Sequence, residues 1–128
     1  ARSGRGLSSA ISGKANHLSK MRGLASGEAA LIADLAQGRA VSFPAFAADR
    51  KAAIAATLNE YVAIDNPLDY HTFIWDQHEK LTATFSEVLK GGFDVGFVIL
   101  DVPTHPKMIR DGWATTARAM ATAAKATA

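Results

Sequence analysis

A chain of 128 residues that is 48% apolar and 20% charged has the size and make-up of a single globular domain with one moderate core. No apolar run approaches the roughly 20 residues needed to cross a bilayer, and no charged start followed by an oily stretch marks a secretory signal. Cysteine is absent, which excludes disulfides, thiol nucleophiles and thiolate metal sites, and fits a cytosolic protein. Of the fourteen Lys and Arg, five fall in residues 1–23 with no acid among them; the other nine are outnumbered by twelve Asp and Glu. A nucleic-acid surface on the body of the chain is therefore not expected, because such surfaces need clustered cations to meet phosphates.

Residues 1–23 are rich in Gly, Ser and Arg, have few large apolar groups, and read as a basic, flexible segment. Residues 24–128 read as the folded part. Residues 28–37 form a helix that is apolar nearly all round, so packing on several sides is expected, with Gly38 as its stop. Residues 40–43 suit a short strand ended by Pro44. Residues 47–61 suit a second helix, with Ile54, Leu58 and Tyr61 on one face and Asp49, Arg50 and Glu60 toward water. After an aperiodic stretch over 62–74, Asp76 and Glu79 have the spacing of a capping box. Leu81, Phe85, Val88 and Leu89 then mark a helix that Gly91-Gly92 closes. Residues 94–102 (DVGFVILDV) are the clearest strand, and the unbroken apolar centre at 97–100 predicts burial on both faces, as in a parallel sheet. The spacing predicts a last helix over 104–128, with Met108, Ile109, Trp113 and Met120 inward.

Helices alternating with a buried strand imply an α/β fold with an open parallel sheet flanked by helices. A βαβ design places a strand just before Ser26. Residues 16–23 (NHLSKMRG) hold that place and read poorly as a strand, so the first strand is expected to be missing or altered.

Two segments carry most of the functional signal. Ser26-Gly27-Glu28 opens directly onto the oily run AALIADLA, and the first amides of a helix lack internal partners and carry partial positive charge. That start is either phosphate-facing or an ordinary capping turn. Asn66-Pro67-Leu68-Asp69 is either an active-site rim, with His71 beside it, or a rigid turn whose Asn and Asp bond nearby groups. Asp65, Asp69 and Asp76 form a possible carboxylate group, although loop acids are usually solvated. His17, His78 and His105 have the setting of surface, helix-start and pre-proline residues. No pair of His has metal-ligand spacing with a third partner. Gly6 to Lys14 superficially evokes a phosphate loop, but six residues separate its first glycine from the second where four are needed, and Ala15 replaces the hydroxyl. Trp75 and Trp113 suit core or interface anchors.

SGEAALIADLA (residues 26–36), VAIDNPLDYHTFIWD (62–76) and GGFDVGFVILDVP (91–103), in this order, resemble the NDP-forming acyl-CoA synthetases, relatives of succinyl-CoA synthetase. The resemblance covers about residues 24–120. It implies a flavodoxin-like subdomain of an enzyme that joins an acid to CoA at the expense of ATP or GTP, with Mg, through a phosphorylated histidine. By position it implies that Ser26, Gly27 and Glu28 match a phosphate-binding helix start. Glu28 stands where the family has a second turn glycine. The ATP-grasp domain, the CoA-binding domain and the phospho-His loop have no counterpart here, so no cofactor is expected on this chain alone. Self-association or docking to other ligase domains is expected. The alternatives are a non-catalytic binding or scaffold module that kept the fold, and a tether to an acidic partner through residues 1–23.

Overall fold

The computed structural model describes residues 19–25, 29–58, 62–70, 74–105, 107 and 110–128, with the backbone alone over 19–25. Its elements alternate: β1 (Ser19–Ala25), α1 (Ala29–Ala36), β2 (Val41–Ser42), α2 (Ala48–Ala55), β3 (Leu68–Asp69), α3 (His78–Leu89), β4 (Val95–Val98) and α4 (Asp111–Thr127). The architecture is mixed α/β. No helix among the described residues is long and apolar enough to cross a membrane.

The first strand, expected to be missing or altered, is present as β1, and the other three strands pair with it. β1 runs parallel to β2 through Ser19↔Val41 and Lys20↔Ser42. It runs parallel to β3 through Leu24↔Leu68 and Ala25↔Asp69. It runs parallel to β4 from Met21↔Val95 to Leu24↔Val98. Leu24 has a partner in both β3 and β4, so these two strands flank β1 on opposite sides. Lys20, Arg22 and Gly23 give the segment poor strand propensity, yet pairing on both edges outweighs propensity in a central strand. The fold therefore begins by Ser19, inside the stretch that composition alone marks as a flexible leader. Residues 1–18 lie outside the described residues.

The core lies between α3, α4 and the loops that enter and leave β3. Leu81, Phe85 and Val88 of α3 are fully buried, as their spacing predicts, and meet Ala119 and Ala123 of α4. Those alanines let the two helix backbones approach closely. Ile54, Leu68 and Tyr70 complete the centre, with Tyr70 edge-to-face on Phe85 at 5.3 Å between ring centroids. Phe46 and Phe93 make a second edge-to-face pair at 5.8 Å. The inward side of α4 is lined by Thr115, Thr116, Ala119 and Ala123, whereas Trp113 and Met120 are only partly buried. Met108 and Ile109 lie outside the described residues. Thr116 donates to the Gly112 carbonyl at 2.8 Å, which satisfies its buried hydroxyl.

Four further expectations are corrected. α2 ends at Ala55, short of the expected residue 61, and Arg50 is half-buried in an ion pair with Glu87 instead of facing water. The capping box at Asp76 does not form. Asp76 adopts a left-handed backbone with φ 61°, Gln77 takes the cap position, and the Asp76 carboxylate accepts from Thr115 of α4 at 2.9 Å. β4 is half-buried along its length instead of enclosed on both faces. Gly38 and Gly92, with φ of 72° and 70°, do end α1 and the α3 turn as expected.

The largest correction concerns α1. Its composition predicts burial on several sides, yet it contains no buried residue, and Leu31 and Leu35 are 46% and 54% exposed. α1 rests on β1 and lacks the helix–helix packing that joins α3 to α4. Leu81→Ala should therefore cost about 3 kcal/mol in urea denaturation, as a fully enclosed leucine does. Leu31→Ala and Leu35→Ala should each cost less than about 1 kcal/mol. Equal losses at all three positions would contradict the exposure of α1.

Glu87 joins α2 to α3. It accepts from Lys90 at 2.6 Å through Oε1 and from Arg50 through Oε2. The Lys90 hydrogen bond, the positive charge of Lys90 and the guanidinium of Arg50 hold its carboxyl below the ordinary value of 4.5, against the opposing pull of partial burial. A depressed carboxyl contributes stability that is fully present above about pH 4.5 and is lost as pH falls through its folded value. Glu87→Gln should lower stability by about 1 kcal/mol at pH 7 and by progressively less below pH 4. Thermal unfolding from pH 7 to pH 3 checks this, and a constant difference across that range would exclude the mechanism.

Candidate functional site

Backbone pairing brings the end of β1 beside the Asn66–Asp69 segment. β1 ends at Ala25, α1 begins at Ala29 with three residues between them, and Ala25 is the register partner of Asp69. The carboxyl ends of β1 and β3 therefore lie side by side. In open parallel folds that end of the strands, where neighbours depart to opposite sides, is where ligands bind. Here β3 and β4 flank β1 in that way, and Val98, the last residue of β4, is level with Leu24.

Among the expected site residues, Ser26, Gly27, Glu28 and His71 lie outside the described residues. Asn66, Pro67 and Asp69 are described, and the turn they build is largely interior. Pro67 is buried, Leu68 and Tyr70 are enclosed, and Asn66 and Asp69 are half-buried. The Asn66–Pro67 peptide is cis. The Asn66 amide nitrogen donates to the Pro44 carbonyl at 2.9 Å, across 22 residues of sequence. Asn66 thus ties the entry to β3 to the loop after β2, and its hydrogen bond lies inside the fold instead of pointing at a ligand. Asp69 also has an interaction within the protein.

The possible acidic group does not assemble. Asp65 pairs with Lys51 at 3.5 Å on the surface, and Asp76 is held by Thr115. Thr115 also accepts from Arg118 at 3.1 Å, which brings a cation near that carboxylate. Among the described residues no group of three or more His, Asp or Glu is placed to hold a metal ion. His78 lies 3.5 Å from Thr122, and His105 accepts from the Lys107 amide through Nδ1 at 3.2 Å. Trp75 and Trp113 form an edge-to-face pair at 4.9 Å, consistent with an anchoring role, although the buried Trp75 indole nitrogen has no hydrogen-bond partner among the described residues.

Two cavities adjoin this framework. One, of about 340 Å³, lies between the start of α2 and the end of α3, with Phe46 and Phe93 in its wall and Arg50 and Lys90 beside it. The other, of about 330 Å³, is lined by Leu58, Val62, Tyr70, Ile74 and Lys80, together with Ala56 and Thr57. Tyr70 directly follows Asp69, so the second cavity lies beyond the end of β3. Sequence reasoning passed over Lys80 and Arg50 in this context. The Glu87–Lys90 spacing is readable within one helix, but Arg50 is 37 residues from Glu87 and nothing in the pattern announces that pair.

No protein-family model, no curated protein and no solved structure matches this chain. The functional reading accordingly stands on the residues and their placement.

The Asn66 tie has a measurable consequence. Asn66→Asp removes the donor and sets a carboxylate against the Pro44 carbonyl, so it should cost about 2 kcal/mol in chemical denaturation. Asn66→Asp with an unchanged midpoint would show that the turn is held by other means.

Proposed function

We propose that the chain is the flavodoxin-like subdomain of an NDP-forming acyl-CoA synthetase, inactive alone and working when docked to the parts that carry nucleotide, CoA and the phospho-histidine. The observation that carries this reading is the Ala25↔Asp69 pairing. It sets Ala25, which precedes the Ser-Gly-Glu stretch in sequence, level with Asp69, the last residue of the Asn-Pro-Leu-Asp segment. That register supports the reading, because helix amides following Ala25 would be suited to steady a phosphoryl group. The exposed leucines of α1 support a role in docking, since an oily stripe left in water suits a surface that a partner covers.

The role of each residue follows from its chemistry. Ser26 and Gly27 offer backbone amides with little steric obstruction, and the Ser26 hydroxyl can add a donor. Glu28 places a negative charge beside that anion site and weakens it. Asn66, Pro67 and Asp69 position the neighbouring wall.

A non-catalytic module that kept the fold is the competing reading. It is favoured by one observation: Asn66 is committed to Pro44, and the turn around it is mostly enclosed. Titration of the full chain with inorganic phosphate, followed by amide NMR, separates the two. The ligase reading expects saturable shifts at residues 26–29 and 66–69. It also expects about fivefold tighter binding in Glu28→Gly, where the repelling charge is removed. Shifts confined to the cations of residues 1–23, or none at all, would leave the non-catalytic module as the surviving reading.

A further inference from the structure

We propose that the cavity beyond β3 is a binding site for a small amphipathic anion, with the ligand's apolar body among Leu58, Val62, Tyr70 and Ile74 and its charged head at Lys80. The inference rests on this cavity alone and is independent of the acyl-CoA synthetase reading.

The walls come from four separate places: the turn after α2, the approach to β3, the exit from β3, and the residues leading into α3. Three of the wall residues are firmly placed, since Tyr70, Ile74 and Val62 are 1%, 5% and 9% exposed. Tyr70 is further held edge-to-face on Phe85. Such a cavity is formed before any ligand arrives, which limits the entropy lost on binding. Its volume of about 330 Å³ lies at the lower end of ligand sites. At about 30 Å³ per water, it accommodates a body of roughly ten non-hydrogen atoms.

The polar groups decide the ligand's chemistry. Thr57 is committed, donating to the Ile54 carbonyl at 2.7 Å and lying 2.9 Å from the Thr84 hydroxyl. Tyr70 has its own contacts within the fold. Lys80 is different: among the described residues no ion pair or hydrogen bond holds its ammonium, and among them it is the only charged one lining this cavity. It also sits in the first turn of α3, where a positive charge opposes the helix dipole. Helix stability therefore does not account for a lysine at that place, whereas an anion beside it would. An apolar wall with one unpartnered cation at its edge selects one negative charge on a compact oily body.

Methyl NMR of the full chain, titrated with phenylmethanesulfonate and with the neutral phenylmethanesulfonamide, tests the proposal. The expected result is saturable shifts at the Leu58, Val62 and Ile74 methyls, with the sulfonate bound about tenfold more tightly than the sulfonamide. Lys80→Met, which keeps the side-chain length, should bring the sulfonate down to the sulfonamide's affinity while the Leu81 and Val88 methyls stay in place. The α1 leucines provide the internal control. Shifts centred on Leu31 and Leu35, equal affinity for the charged and neutral probes, or no saturation would each overturn the assignment.

Discussion

The hydrogen-bonding capacity of one strand organises this fold. β1 has two edges, and both are occupied over its second half: β3 along one and β4 along the other, meeting at Leu24. A backbone enclosed in this way must pair its N–H and C=O groups or lose the free energy of leaving them unsatisfied. The requirement fixes the direction and register of everything that follows. β3, entered through the Asn66 turn, must bring Asp69 level with Ala25 at the carboxyl end of β1. The candidate site is thus a by-product of strand pairing. No side chain needs to reach across it for the two segments to be neighbours.

This dependence explains which parts of the fold the sequence revealed. The burial of α3 follows from Leu81, Phe85 and Val88 at helical spacing, because a periodic stripe on a twelve-residue helix has one way to be covered. The stops at Gly38 and Gly92 were equally plain, since both require a left-handed backbone. β1 was hidden for the opposite reason. Lys20, Arg22 and Gly23 carry no strand signal, and their conformation is imposed by partners twenty to seventy residues away. The capping box failed in a related way: Thr115, from the other end of the chain, takes the carboxylate that local spacing assigned to the helix start. Local patterns are readable where local energies decide. Long-range pairing is not written in any window of residues.

The contrast between α1 and α3 bears on function. Both are rich in apolar residues, yet α3 is enclosed and α1 is not. Leaving Leu31 and Leu35 in water forgoes about 25 cal/mol for each Å² of apolar surface that burial would remove, and the fold does not recover it elsewhere. An oily helix at the carboxyl end of β1, adjoining the stretch that resembles a phosphate-binding start, is suited to a subdomain that is completed by neighbours.

The Asn66 turn sharpens the argument. Its amide holds Pro44, its proline and leucine are interior, and Asp69 already has company. Chemistry performed by these side chains would require breaking contacts that position β3. On the proposed reading, chemistry performed by backbone amides after β1 would not, because β1 pairs with β3 through Ala25 and Leu24. Residues resembling an active-site rim can therefore matter to a phosphoryl site without touching the phosphoryl group. They lie in or beside the strand that pairs with Ala25, the residue preceding Ser26 in the sequence. A substitution at Asn66 would then change anion binding through the position of those amides, with the loss in affinity tracking the loss in stability. A residue in direct contact with the anion would lose affinity at constant stability, and that difference separates an architectural role from a chemical one.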